Sequence, residues 1–127
     1  MKVTMEQIVD FRNSSDFFIS AQVPLVGAYK INKIRRAADK EFEFYREKFQ
    51  EIVNKYAMKD KDGNVMFSDD GAQIRIQQDK IQECNEELDA LQTLEVEVDN
   101  YGLTLENLGN NIECTPAQLE ALMPFFS

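Results

Sequence analysis

The sequence predicts an α+β fold, mainly helical, with a long central helix, flanking helices and a small antiparallel sheet. Three observations carry this. Apolar residues between Ala28 and Tyr56 recur mostly at spacings of three and four with no proline among them. LEVEVD at 94–99 alternates strictly, and Thr-led capping patterns begin at Thr4 and Thr115. With 127 residues, 43% of them hydrophobic, and only three Pro and five Gly, the chain is expected to form a single domain over 1–127 with a real core.

Thr4-Met5-Glu6-Gln7 fits a capping box, in which the Thr hydroxyl accepts from an early helical amide and the Gln side chain reaches back to the cap. A first helix is expected from there to about Ala21, buried over a broad face by Met5, Ile8, Val9, Phe11, Phe17, Phe18 and Ile19. Val23-Pro24 ends it, because proline has no amide to donate and disfavours helix at the residue before it. Pro24 also suits the first turn of a second helix, expected to run to about Lys59.

That helix carries the stripe Ala28, Ile31, Ala38, Phe42, Tyr45, Phe49, Ile52 and Tyr56, which from Ala38 onward steps as a heptad seam. Thirty-odd residues at ~1.5 Å each span roughly 50 Å. A compact domain of this size is only about 36 Å across. The helix must therefore bend, project or be covered by another chain.

Further on, NVMF at 64–67 and QIRI at 73–76 are short alternating runs, with Val65 and Phe67 matched to Ile74 and Ile76 across the SDDGA turn. A third helix is expected from about Gln78 to Gln92 on Ile81, Cys84, Leu88 and Leu91, antiparallel to the end of the long one, which places the small sheet near that distal end. LEVEVD reads as a half-buried strand with Leu94, Val96 and Val98 on one face and Glu95, Glu97 and Asp99 on the other. NIEC at 111–114 is a candidate last strand. Thr115-Pro116-Ala117-Gln118 opens a terminal helix whose Leu119, Leu122 and closing MPFF dock on the core.

The stretch KYAMKDKDGNVMF at 55–67 raises the question of a calcium loop. Counted from Asp60, the ligand positions Asp62 and Asn64 fit, but Val65 stands where the loop needs Gly and Gly71 where it needs a bidentate Glu. Asp62-Gly63-Asn64 is turn chemistry instead. Asp60, Asp62, Asp69 and Asp70 would surround a cation only if the two turns converged, so no metal is assigned.

No histidine is present, which removes the commonest general base and transition-metal ligand. P-loop, GxGxxG, GxSxG and CxxC patterns are missing too, so the expectation is a protein without catalytic residues or cofactor. Cys84 and Cys114 are read as small buried apolar residues in a reducing cytosol. The opening MKVTMEQIVDFRNSS lacks the apolar core of a signal peptide, and no run approaches the ~18 apolar residues of a membrane span.

A formal net charge of -9 disfavours nucleic acid and anionic membranes as general partners. Against it stands a basic cluster, Lys30, Lys33, Arg35, Arg36 and Lys40, in the first half of the long helix. The partner surface is placed there, on Ala28, Ile31, Ile34, Lys33, Arg35 and Arg36. The expected occupant is a second copy, as a homodimer covering an otherwise exposed seam; folding back of the first helix is the competing cover. The alternative reading is a binding module for a small anionic ligand or nucleic acid using residues 30–40.

The order of motifs, KYAMKDKDGNVMF, then EELDALQTLEVEV, then TPAQLEALMPFF, resembles a loose group of small tailed-bacteriophage and prophage proteins of undefined function, over roughly residues 24–127. The resemblance implies phage origin and a non-catalytic assembly, accessory or host-modulating role through a phage or host protein. Its setting would be the cytoplasm of the bacterial host, or the virion. It carries no functional residues onto this chain.

Overall fold

Two threonines set the helical frame. Thr4 accepts the Gln7 amide at 3.2 Å while the Gln7 side chain accepts the Thr4 amide at 2.9 Å, and Thr115 and Gln118 repeat the arrangement at 3.2 and 2.9 Å. Both capping boxes read from the sequence are present. The computed structural model describes residues 1–127. Its elements are β1 (Lys2–Thr4), α1 (Met5–Ser20), α2 (Leu25–Tyr56), α3 (Ile81–Gln92), β2 (Glu95–Glu97) and α4 (Pro116–Leu122), with short 3-10 turns between them. This is the mainly helical α+β class, with the long central helix and a two-stranded antiparallel sheet. None of its helices is long and apolar enough to cross a membrane.

The chain packs as two compact units, one of Met1–Glu43 with Leu94–Ser127 and the other of Phe44–Thr93. Residues 25–43 of α2 belong to the first and residues 44–56 to the second.

In the first unit β1 pairs with β2, Val3 opposite Val96, and the Met5 amide donates to the Leu94 carbonyl at 2.8 Å. α1 buries Met5, Ile8, Phe11, Ser15 and Phe18, spaced 3, 3, 4 and 3. α2 contributes Ile31, Ile34 and Ala38, and the C-terminal segment adds Leu103, Leu108, Leu122 and Phe125. Each large side chain so buried stabilises the unit by about 1.5–3 kcal/mol. Phe11 and Phe125 meet with ring centroids 5.0 Å apart. Arg12 joins α1 to α2, pairing with Asp39 at 3.4 Å and lying 3.9 Å from the Phe42 ring centre.

Several expectations are corrected in this unit. The small sheet, expected near the distal end of the long helix, is instead formed in this unit by LEVEVD and the N-terminal Lys2–Thr4, a segment too short to show alternation before the helix begins. Within that strand Val98 is buried and Val96 half-buried, but Leu94 is exposed where the chain leaves α3. NIEC forms no strand; the C-terminal pairing is a single parallel bridge between Leu103 and Phe126. The buried face of α1 is narrower than expected, with Ile19 56% exposed.

The second unit holds a three-part hairpin ring between α2 and α3. The Met66 amide donates to the Met58 carbonyl at 2.8 Å, Arg75 to Met66 at 2.9 Å, and Met58 to Arg75 at 2.7 Å, so three backbone segments close a cycle. Further bonds repeat at the same intervals of eight and nine residues. Asp60, Ser68 and Gln77 donate to Asn64, Gln73 and Tyr56, while Gly63, Gly71 and Lys80 donate to Asp60, Ser68 and Gln77. Gly63 and Gly71 take positive φ, +83° and +71°, which their missing Cβ permits. The expected NVMF and QIRI strands are thus single bridges, Lys59 with Val65, Phe67 with Ile74 and Ala57 with Ile76. α2 stops at Tyr56 because Ala57 and Met58 already belong to the ring. On the seam in this unit Tyr56 is buried, Tyr45 and Ile52 are half-buried, and Phe49 is exposed.

Candidate functional site

The first half of α2 has two opposite faces. Gly27, Ile31, Ile34 and Ala38, spaced 4, 3 and 4, form the buried one. Leu25, Tyr29, Lys33, Arg36 and Lys40, spaced 4, 4, 3 and 4, form the outer one, since at 3.6 residues per turn the two rows fall about half a turn apart. Leu25 is 85% exposed, Tyr29 61% and Val26 55%. The result is an apolar head at the start of the helix followed by three cations.

This arrangement divides the partner surface read from the sequence. Ile31 and Ile34, at 3% and 2% exposure, belong to the core, so the expected interface on them is corrected. Ala28 is exposed, and Arg36 stands on the outer face with the half-buried Lys33, whose ammonium lies 5.3 Å from the Tyr29 ring centre. Arg35 lies to one side, tied to Asn32 at 2.9 Å and Asp39 at 3.5 Å. Lys30 turns inward, donating to the Gly102 carbonyl at 2.8 Å and the Asn107 side chain at 3.1 Å. Of the five clustered cations, two are therefore engaged in holding the unit together.

Sequence reasoning missed Leu25, Val26 and Tyr29. Extending the Lys33–Arg36 row back by helical steps points to Tyr29 and Leu25, but apolar residues beside a buried seam are ordinarily assigned to the core.

The other candidate positions are accounted for locally. Asp60 accepts the amides of Asp62 and Asn64 at 2.9 and 3.0 Å. Asp70 accepts the Ala72 amide and the Ser68 hydroxyl, and Asp69 pairs with Arg75 at 2.9 Å. The two turns lie on different legs of the ring, and the four carboxylates form no common cluster. Glu97 binds the terminal amine at 3.1 Å. Cys84 is buried and its thiol is pushed up by burial and then by the charge of Glu87, away from the reactive thiolate. Cys114, expected to be buried, is half-buried and free.

At the foot of α2, Lys55 reaches Glu87 of α3 at 3.0 Å. Hydrogen bonding with Tyr56, then with Lys55, lowers the Glu87 carboxyl below its ordinary value.

No family model, curated protein or solved structure matches the chain.

Proposed function

We propose that this chain is a small, non-catalytic, phage-type protein that acts by binding a phage or host protein in the bacterial cytoplasm or on the virion. The outer face of α2 is its contact surface. One observation carries this reading: on a chain of net charge -9, a helix presents exposed Leu25, Val26 and Tyr29 in line with Lys33 and Arg36. Large apolar side chains grouped in water favour being covered, and tyrosine and arginine are the residues that most often dominate protein contacts. A partner segment with apolar and acidic residues is complementary to that sequence of groups. The phage setting is supported by the motif order from KYAMKDKDGNVMF to TPAQLEALMPFF.

Affinity purification from infected cells tests it. The parent chain is expected to capture one defined phage or host protein, and Tyr29→Asp with Arg36→Glu to lose it without a change in urea midpoint. Capture of the same protein by the double variant would remove the outer face from the contact.

A further inference from the structure

We propose that the outer face of α2 seats in the cleft between α1 and α4 of a second copy of this chain. The inference rests on the protein-contact reading above and names a copy of the chain itself as a partner. The cleft is an open groove with a volume of about 1070 Å³. One wall comes from α1 and the other from α4 with Met123 and Pro124. Small residues, Ser14, Ala117 and Ala121, leave the space open, and Leu119, Met123 and Pro124 give it an apolar lining. Asp10 and Glu120 stand in the same lining, and no cation does.

The fit to α2 is chemical as well as geometric. Neither Asp10 nor Glu120 takes part in an ion pair of the monomer, and neither do Lys33 and Arg36. The chain thus displays two unneutralised acids beside an apolar cleft, and two unneutralised bases beside an apolar ridge. Opposite charges across an interface fix register and reject wrong partners. Here each surface supplies what the other lacks. Because ridge and cleft are different patches of one unit, seating one in the other is a head-to-tail contact, which closes into a ring or continues as an open chain according to its rotation. Such a contact is distinct from a symmetric dimer through Ile31, which the buried position of that residue precludes.

A charge exchange tests this by sedimentation equilibrium at tens of micromolar protein and low salt. The parent is expected above its 14.7 kDa monomer mass. Lys33→Glu with Arg36→Glu, and separately Asp10→Lys with Glu120→Lys, are each expected to sediment as monomers. Their equimolar mixture is expected to associate again, since the acidic ridge of one then meets the basic cleft of the other. If a doubly reversed chain unfolds, Arg36→Gln and Glu120→Gln take its place, each weakening association several-fold. A monomeric parent, variants that still associate alone, or a mixture that stays monomeric overturns the inference. A monomeric parent that still captures another protein through Tyr29 overturns it and leaves the wider protein-contact reading intact.

Discussion

Gly27 and Asn107 meet so closely that a Cβ on Gly27 would lie 1.9 Å from the Asn107 carbonyl oxygen and 2.9 Å from its carbon. The same Asn107 side chain holds Lys30, one turn along α2, and accepts the Thr104 amide at 2.9 Å. Both neighbours are backbone atoms, which cannot swing aside as a flexible side chain could. Gly27→Ala would gain about 1 kcal/mol of helix propensity. The overlap is expected to outweigh it and leave a net loss of about 1–3 kcal/mol. Urea unfolding reads the difference; a stabilised Gly27→Ala would show that Asn107 is not held against the helix.

The C-terminal tail is part of the first unit's core. Phe125→Ala is expected to lose about 3–5 kcal/mol, because Phe125 is buried against the fully buried Phe11. Thr115→Ala, which removes only the cap of α4, is expected to cost about 1 kcal/mol. Equal midpoints for parent and Phe125→Ala in a denaturant titration would place the tail outside the core.

Stability of the second unit should fall at both extremes of pH through one carboxylate. The Glu87 carboxyl is lowered, so its contribution is complete above the ordinary value of about 4.3 and is lost as pH falls through the lowered one. Lys55 is raised by its bond to Glu87, so its share is complete below about 10.4 and is lost as pH climbs through the raised value. Tyr56 is likewise raised, first by Glu87, and acts in the same alkaline direction. Melting temperature against pH for Glu87→Gln is expected to be flatter than for the parent in both limbs. Parallel profiles would show that the trio contributes nothing to folding.

Asp60 is expected to matter as a hydrogen-bond acceptor and not as a cation ligand. Asp60→Asn retains an oxygen for the amides of Asp62 and Asn64. It should melt with the parent, with and without calcium. Asp60→Ala loses both bonds and should cost on the order of 1–2 kcal/mol. A calcium-dependent rise in the melting temperature of the parent, absent from Asp60→Asn, would reverse the assignment.

Helix positions were legible because their signals are local: a Thr at the cap, a Pro at Pro24, apolar side chains every third or fourth residue. The ring in the second unit was only half visible. Asp62-Gly63 and Asp70-Gly71 announce two turns eight residues apart, but the third corner, Asp79-Lys80, has no glycine and falls where a helix pattern starts. Its closure depends on Gln77 donating to Tyr56, a long-range backbone bond that no residue type encodes. The β1 strand was hidden for the same reason, since Lys2–Thr4 has its partner more than ninety residues away.

On α2 the error lay in direction. Counting apolar residues located a stripe, but which stripe faces inward depends on what packs there. Gly27, the residue that admits Asn107, marks the inner side.

The Gln77 bond back to Tyr56, at 2.9 Å, brings the two ends of the ring side by side. Everything from Ala57 to Ile76 is therefore a detour that returns to its own origin, and its outermost corners at Gly63 and Gly71 have nothing within 4 Å of where a side chain would begin. Extra residues added at either corner lengthen a loop whose closure cost grows only slowly with length. The helices on each side would not have to move. Such a position can accept an inserted peptide or a fused tag while α2 and α3 keep their register.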